Sequence, residues 1–193
     1  MPINVPLVLT WARIAMIPLV VGVFYLPEPW LSQPWKNASA CALFVLAALT
    51  DAIDGYVARK YGLTTKFGAF LDPVADKLMV SAALIVLLAL DRVGAFVALV
   101  IIGREIAVSA LREWMAQIGA HASVAVSSLG KLKTAAQMVA IPMLLFHDRL
   151  FGVIDVGQIG TVLIYLAAVL TIYSMLYYLR IAWPHLAPRS ELR

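Results

Sequence analysis

The sequence predicts an all-α integral membrane protein: six transmembrane helices in one bundle, a single domain over residues 1–193. Three observations carry this reading. The chain is 63% hydrophobic and 13% charged, whereas a soluble domain is about 45–50% apolar and about 25% charged. Its mean hydropathy is +0.90. Apolar stretches near the length a bilayer requires, about 20 residues, recur from one end to the other with short polar connections between them.

The six segments lie roughly over 6–26, 37–60, 68–90, 93–116, 128–147 and 157–182. The first is preceded by no basic n-region and followed by no cleavage signature, so it is expected to stay in the mature protein. Pro27, Pro29 and Pro34 place a loop after it. In the second, the uncharged run from Asn37 to Thr50 is too short to span alone, as is the run from Leu78 to Leu90 in the third. Each reaches spanning length only by taking in the aspartate-bearing segment beside it. The fourth carries Arg104 and Glu105 mid-segment and Arg112 and Glu113 near its end, the fifth carries Lys131 and Lys133 near its start, and Asp148 to Asp155 forms the loop that follows. The sixth has no charged residue from Gly160 to Leu179. Repeats, low-complexity runs and a second domain are absent from the sequence.

Charge sets the orientation. With both termini on one side, that side receives Arg59, Lys60, Lys66, Arg104, Arg112, Lys131, Lys133, Arg180, Arg189 and Arg193, against Lys36, Arg92 and Arg149 opposite. The positive side is expected to be cytoplasmic. The net charge of +4 comes without interleaved basic and aromatic residues on a polar face, so no nucleic-acid partner is expected. One cysteine, Cys41, excludes an internal disulfide.

The chemistry is expected at the same cytoplasmic face, where Asp51, Asp54, Asp72 and Asp76 fall on two consecutive antiparallel helices. Carboxylates beside hydrocarbon cost several kcal/mol each unless paired, wetted or bound to cations. Residues 51, 54 and 58 share one helical stripe, and residues 68, 72 and 76 share another. Two acids from each helix can therefore converge. Oxygen-only ligands without nearby Cys or His suit Mg²⁺ or Mn²⁺ rather than zinc, and two such ions would balance the four charges. Gly55, Ala58 and Gly68 interleave with the acids and leave room for a ligand near the backbone. The competing readings are acids acting as interhelical hydrogen-bonding glue, or a cation- or proton-coupled transporter. A transporter would place its acids near the midplane of repeated halves, and this chain shows neither feature.

Arg104 and Arg112 point toward this side, and Lys131 and Lys133 open the fifth helix there. Basic groups beside a dimetal site suit an acceptor that carries its own phosphate. Singly, each could be a snorkelling interfacial residue, and Glu105 is the partner Arg104 would have in a structural role. His121, His147 and His185 form no ligand spacing. Trp30, Trp35, Trp183, Tyr177 and Tyr178 read as an interfacial belt, and Met138 and Met143 as packing.

The pattern Asp51-x2-Asp54-Gly55-x2-Ala58-Arg59-x8-Gly68-x3-Asp72-x3-Asp76 resembles the complete signature of the CDP-alcohol phosphotransferases. The resemblance implies that family's fold of about six membrane helices, a cytoplasmic-side active site, a homodimer, and transfer of a phosphatidyl group from CDP-diacylglycerol to an alcohol with release of CMP. It implies that Asp51, Asp54 and Asp72 hold two divalent ions over the pyrophosphate, and that Asp76 is a ligand, the base for the acceptor hydroxyl, or both. Gly55 and Ala58 would admit the cytidine, and Arg59 would meet the nucleotide phosphates. The stretches from Asn4 to Arg13, Gly68 to Lys77, Gly103 to Trp114 and Ser127 to Thr134 resemble the branch whose acceptor is glycerol 3-phosphate. On that resemblance the Arg/Lys cluster takes the acceptor phosphate, and Thr10 and Arg13 join nucleotide or acceptor binding. Inositol phosphate, which would also require the basic cluster, is the alternative acceptor.

Overall fold

The computed structural model describes residues 5–62, 65–117, 128–150 and 152–186. Among these there are six α-helices: α1 (Val5–Gly22), α2 (Gln33–Tyr61), α3 (Lys66–Ala89), α4 (Ala95–Gln117), α5 (Ser128–Phe146) and α6 (Val156–Leu186). Each matches one expected segment. The largest boundary differences, four residues each, are at α1, which ends early, at α2, which starts early, and at α6, which ends late. A 3-10 turn, Val23–Tyr25, extends α1. The segment between α5 and α6, expected only as a loop, contains a two-residue antiparallel pairing that sets Arg149 against Asp155 and Leu150 against Ile154.

Local chemistry explains the helix ends. Pro34 lies in the first turn of α2, where its missing N–H costs nothing. That helix stops at Gly62, whose φ of 65° is left-handed and whose N–H donates to the Ala58 carbonyl. Thr65 caps α3, its hydroxyl accepting from the Gly68 N–H at 2.9 Å.

In the bundle α1 packs on α2 and α3, α2 also meets α5, and α6 packs on α4 and, most extensively, on α5. Gly160 allows α6 to approach α5 closely, since a Cβ there would lie 2.9 Å from Leu144 Cγ and 3.2 Å from the Leu144 backbone nitrogen. Small residues line the interior, with Ala40, Ala47, Ala83, Ala140 and Ala167 buried beside Phe44, Leu84, Leu87, Ile101 and Ile141. Close backbone approach through small residues is how helices associate where lipid removes the hydrophobic drive. Large apolar side chains such as Leu46, Ile85, Phe96, Leu99 and Val162 face outward instead.

Among the described residues, three helical stretches are long and apolar enough to cross a membrane by length and composition: Pro6–Tyr25, Gln33–Ala58 and Val156–Tyr177. The others fall short for a physical reason. Charges enter α3 at Asp72, Asp76 and Lys77 and α4 at Arg104 and Glu105, and the apolar run of α5 is confined to Leu132–Phe146.

At the end remote from the aspartates, Arg92 ties three elements together. Its Nη2 donates to Asn37 Oδ1 at 2.8 Å, and its Nη1 to the Leu144 and Leu145 carbonyls at 3.1 and 2.8 Å. Asn37 Nδ2 in turn reaches Asp148 Oδ2 at 3.3 Å. Burial pushes the Arg92 guanidinium down from its ordinary value and Asp148 opposes this, and arginine starts so high that it remains charged. The lock joins the start of α2, the α3–α4 turn and the end of α5, so these three lie together, as expected for the opposite-side loops.

Candidate active site

The four aspartates converge, and a residue from α1 joins them. Asp51 and Asp54 project from α2, and Asp72 and Asp76 from α3. Arg13 enters with its side chain 1% exposed and pairs with three of them. Its Nη1 donates to Asp76 Oδ1 at 2.9 Å and its Nη2 to Asp54 Oδ2 at 2.7 Å, while Asp51 Oδ1 lies 2.9 Å from Nη1 as an ion pair. The Arg13 Nε is buried and has no hydrogen-bond partner among the described residues. Thr10, one helical turn earlier, is fully buried, with its hydroxyl against Asp72 Oδ1 and 3.1 Å from the Pro6 carbonyl. Each acid is thus held by α1 through either Thr10 or Arg13.

Exposure divides the four. Asp54 is 2% exposed and Asp51 and Asp76 are 41% and 38% exposed, so the last two present oxygens outward while the first is sealed against Arg13. A cavity of about 340 Å³ begins beside Asp51, Asp76 and Arg13 and runs inward between Phe44, Met79 and Met138. Met138, expected to be plain packing, therefore helps wall this cavity.

Whether the cluster suits divalent cations can be judged from its donors. Among the described residues no three acids stand at metal-ligating spacing, and the Arg13 guanidinium lies among them. The donors are nevertheless carboxylate oxygens only, the preference of hard cations. One guanidinium among four carboxylates also leaves an excess of negative charge at a partly open site. The residues fit such ions in chemistry, with Arg13 as an internal rival for the same oxygens.

The basic residues form a second cluster. Glu105 Oε1 accepts from Arg104 Nη1 and from Lys133 Nζ, both at 2.8 Å, joining α4 to α5. Both cations are largely buried. The expected convergence therefore occurs for Arg104 and Lys133, and Glu105 serves both rather than Arg104 alone. Thr134, the residue after Lys133, lines the cavity beside Asp51 and Asp76, so the start of α5 borders both clusters.

The CDP-alcohol phosphatidyltransferase family profile matches residues 3–173. The chain belongs to that family. Among its relatives, the CDP-diacylglycerol--glycerol-3-phosphate 3-phosphatidyltransferase of Pectobacterium atrosepticum is 48% identical over 185 residues, covering 94% of this chain and 96% of the relative. The proteins of the same name from Shigella flexneri serotype 5b and Escherichia coli K12 are each 46% identical over 186 residues, with the same coverage of both chains.

Several signature positions of the CDP-alcohol phosphatidyltransferase pattern acquire a local explanation. A Cβ on Gly68 would come within 3.0 Å of Thr65 Oγ1, so its small size serves the α3 cap as well as any ligand. Gly55 and Ala58 sit half-buried on α2 beside the acids. The side chains of Arg59, Arg112 and Lys131, three residues expected to meet phosphates, lie outside the described residues. Thr10 and Arg13 do reach the site, where they are buried against the aspartates. Their spacing of three residues on a helix was the available signal for a shared face; that the face would meet the acids was not visible in it.

Proposed function

We propose that this chain is a membrane enzyme transferring the phosphatidyl group of CDP-diacylglycerol to glycerol 3-phosphate, giving phosphatidylglycerophosphate and CMP. The observation that carries this reading is the convergence of Asp51, Asp54, Asp72 and Asp76 at one partly open point, in a chain of this family. The names borne by relatives 46–48% identical over nearly the whole chain support the same reaction. The family match favours this reading over a cation-coupled transporter, the alternative from another class.

The four aspartates would hold two divalent ions, Mg²⁺ or Mn²⁺. Such ions, when bound, neutralise the pyrophosphate oxygens and the charge that develops on departing CMP. The protein's own groups do the rest. Gly55 and Ala58 leave the α2 surface low enough for the cytidine, and Arg59, next in sequence, would meet the nucleotide phosphates. Asp76 has the exposure to meet the acceptor's primary hydroxyl and either takes its proton or positions it. The acceptor oxygen then bonds to the β-phosphorus as the bond from that phosphorus to the CMP oxygen breaks.

Arg104 and Lys133 supply the positive end of the acceptor subsite, joined by Arg112 and Lys131. Glu105 bridges the first two by a single oxygen, an anion in the place an acceptor phosphate would need. The same cluster would serve inositol phosphate, which is the second reading. In the membrane, all six helices span, the site and both termini face the cytoplasm of a bacterium, and the enzyme works as a homodimer on lipid substrates.

A competition assay on purified protein with CDP-diacylglycerol tests the acceptor. Labelled glycerol 3-phosphate should be incorporated into lipid in preference to inositol phosphate and serine. Preference for inositol phosphate would replace the acceptor while leaving the transfer reaction in place.

A further inference from the structure

We infer that Arg13 is the built-in counter-cation of the carboxylate cluster, competing with divalent cations for Asp51, Asp54 and Asp76 and so setting how tightly they bind. The inference rests on the cation site proposed above. Its basis is geometric. The guanidinium engages Asp51 Oδ1, Asp76 Oδ1 and Asp54 Oδ2 at 2.7–2.9 Å, the same class of oxygen a hard cation requires. It approaches from the buried side, whereas Asp51 and Asp76 are open on the other.

Four carboxylates on two neighbouring helices repel one another, and a fixed positive group among them relieves that strain when no metal is present. Its fork shape lets one residue hold three acids. The hold is imperfect, since Nε is buried without a partner among the described residues. Arg13 can therefore be displaced or re-paired without losing a fully satisfied network. Linkage makes the effect mutual: whatever Arg13 contributes to the metal-free cluster is subtracted from cation affinity. Arg13 is in this sense a positioning residue that keeps the acids assembled yet exchangeable.

The test is direct Mn²⁺ binding, without substrates, to purified full-length protein in detergent, together with thermal unfolding after metal stripping. Arg13→Gln should bind Mn²⁺ roughly five- to a hundredfold more tightly than wild type, the usual span of coupling between sites. Its metal-stripped midpoint should fall, and its rise on adding Mn²⁺ should exceed that of wild type. Arg13→Lys keeps the charge but loses the fork, so it should shift in the same direction by less. If Arg13→Gln does not fold even with Mn²⁺, the Lys variant decides alone. Equal or weaker Mn²⁺ binding in a folded variant overturns the inference while leaving the cation site intact. Absence of Mn²⁺ binding in wild type and variants alike removes the cation site itself, and this inference with it.

Discussion

Arg13 Nη2 and Asp54 Oδ2 meet at 2.7 Å with side chains 1% and 2% exposed, a charge pair closed off from solvent on both sides. The two residues are 41 apart in the chain, on helices α1 and α2. Buried charges of this kind are costly to leave unpaired, so the contact locks the first two helices into one register beside the acids.

The acids should accordingly separate by stability. Asp54→Asn should lower stability by about 1.5–3 kcal/mol, the worth of a charge-assisted hydrogen bond, and abolish turnover as well. Asp51→Asn, at a half-open position, should cost at most about 1 kcal/mol yet also abolish turnover. Thermal unfolding and CMP release measured on the same preparations check both. Wild-type stability in Asp54→Asn would contradict the sealed pair.

Chelation should silence the enzyme. EDTA should remove activity, and either Mg²⁺ or Mn²⁺ should restore it without zinc, because the donors are oxygen alone. Titrating each metal into the stripped protein while following CMP release makes the comparison. Full activity in chelator would disconnect the aspartates from any metal role.

Replacing Arg104 or Lys133 by neutral residues should raise the apparent KM for glycerol 3-phosphate. A charged hydrogen bond is worth about 1.5–3 kcal/mol, so each change should weaken acceptor binding by roughly ten- to a hundredfold. The KM for CDP-diacylglycerol should move much less. Steady-state kinetics with each substrate varied in turn would show it, and an unchanged acceptor KM in both variants would remove the basic cluster from the acceptor site.

Far from the chemistry, Gly160→Val should destabilise the α5–α6 contact by about 1–3 kcal/mol through overpacking, because even a Cβ meets Leu144 at 2.9 Å. The acceptor KM of the folded fraction should be unaffected. Thermal unfolding beside kinetics separates the two effects.

Much of this architecture is legible in the sequence because membrane helices are written in long apolar runs, and short runs beside Asp51 and Asp76 force those acids into the helices. The pairing of their stripes follows from helical spacing alone. Arg13 is different. It reads as one basic residue inside an apolar helix, and its engagement with Asp76, 63 residues away, depends on how α1 leans on α2 and α3, which no local pattern encodes. Glu105 could be matched to its neighbour Arg104 from adjacency, but its second bond to Lys133, on another helix, could not. Gly68 reads as room for a ligand because its role at the Thr65 cap depends on a side-chain rotamer. The pairing of Arg149 with Asp155 is too short to leave a strand pattern at all.

The most direct measurement of the central claim is a stoichiometry. Wild-type protein and Asp72→Asn, each purified and shown folded by thermal unfolding, are given CDP-diacylglycerol, labelled glycerol 3-phosphate and saturating Mg²⁺. CMP and lipid-soluble label are then counted together. Wild type should release one CMP for each label entering lipid, and the variant should release neither. Substantial lipid labelling by Asp72→Asn, or CMP release by wild type without labelled lipid, would contradict phosphatidyl transfer at the four-aspartate cluster.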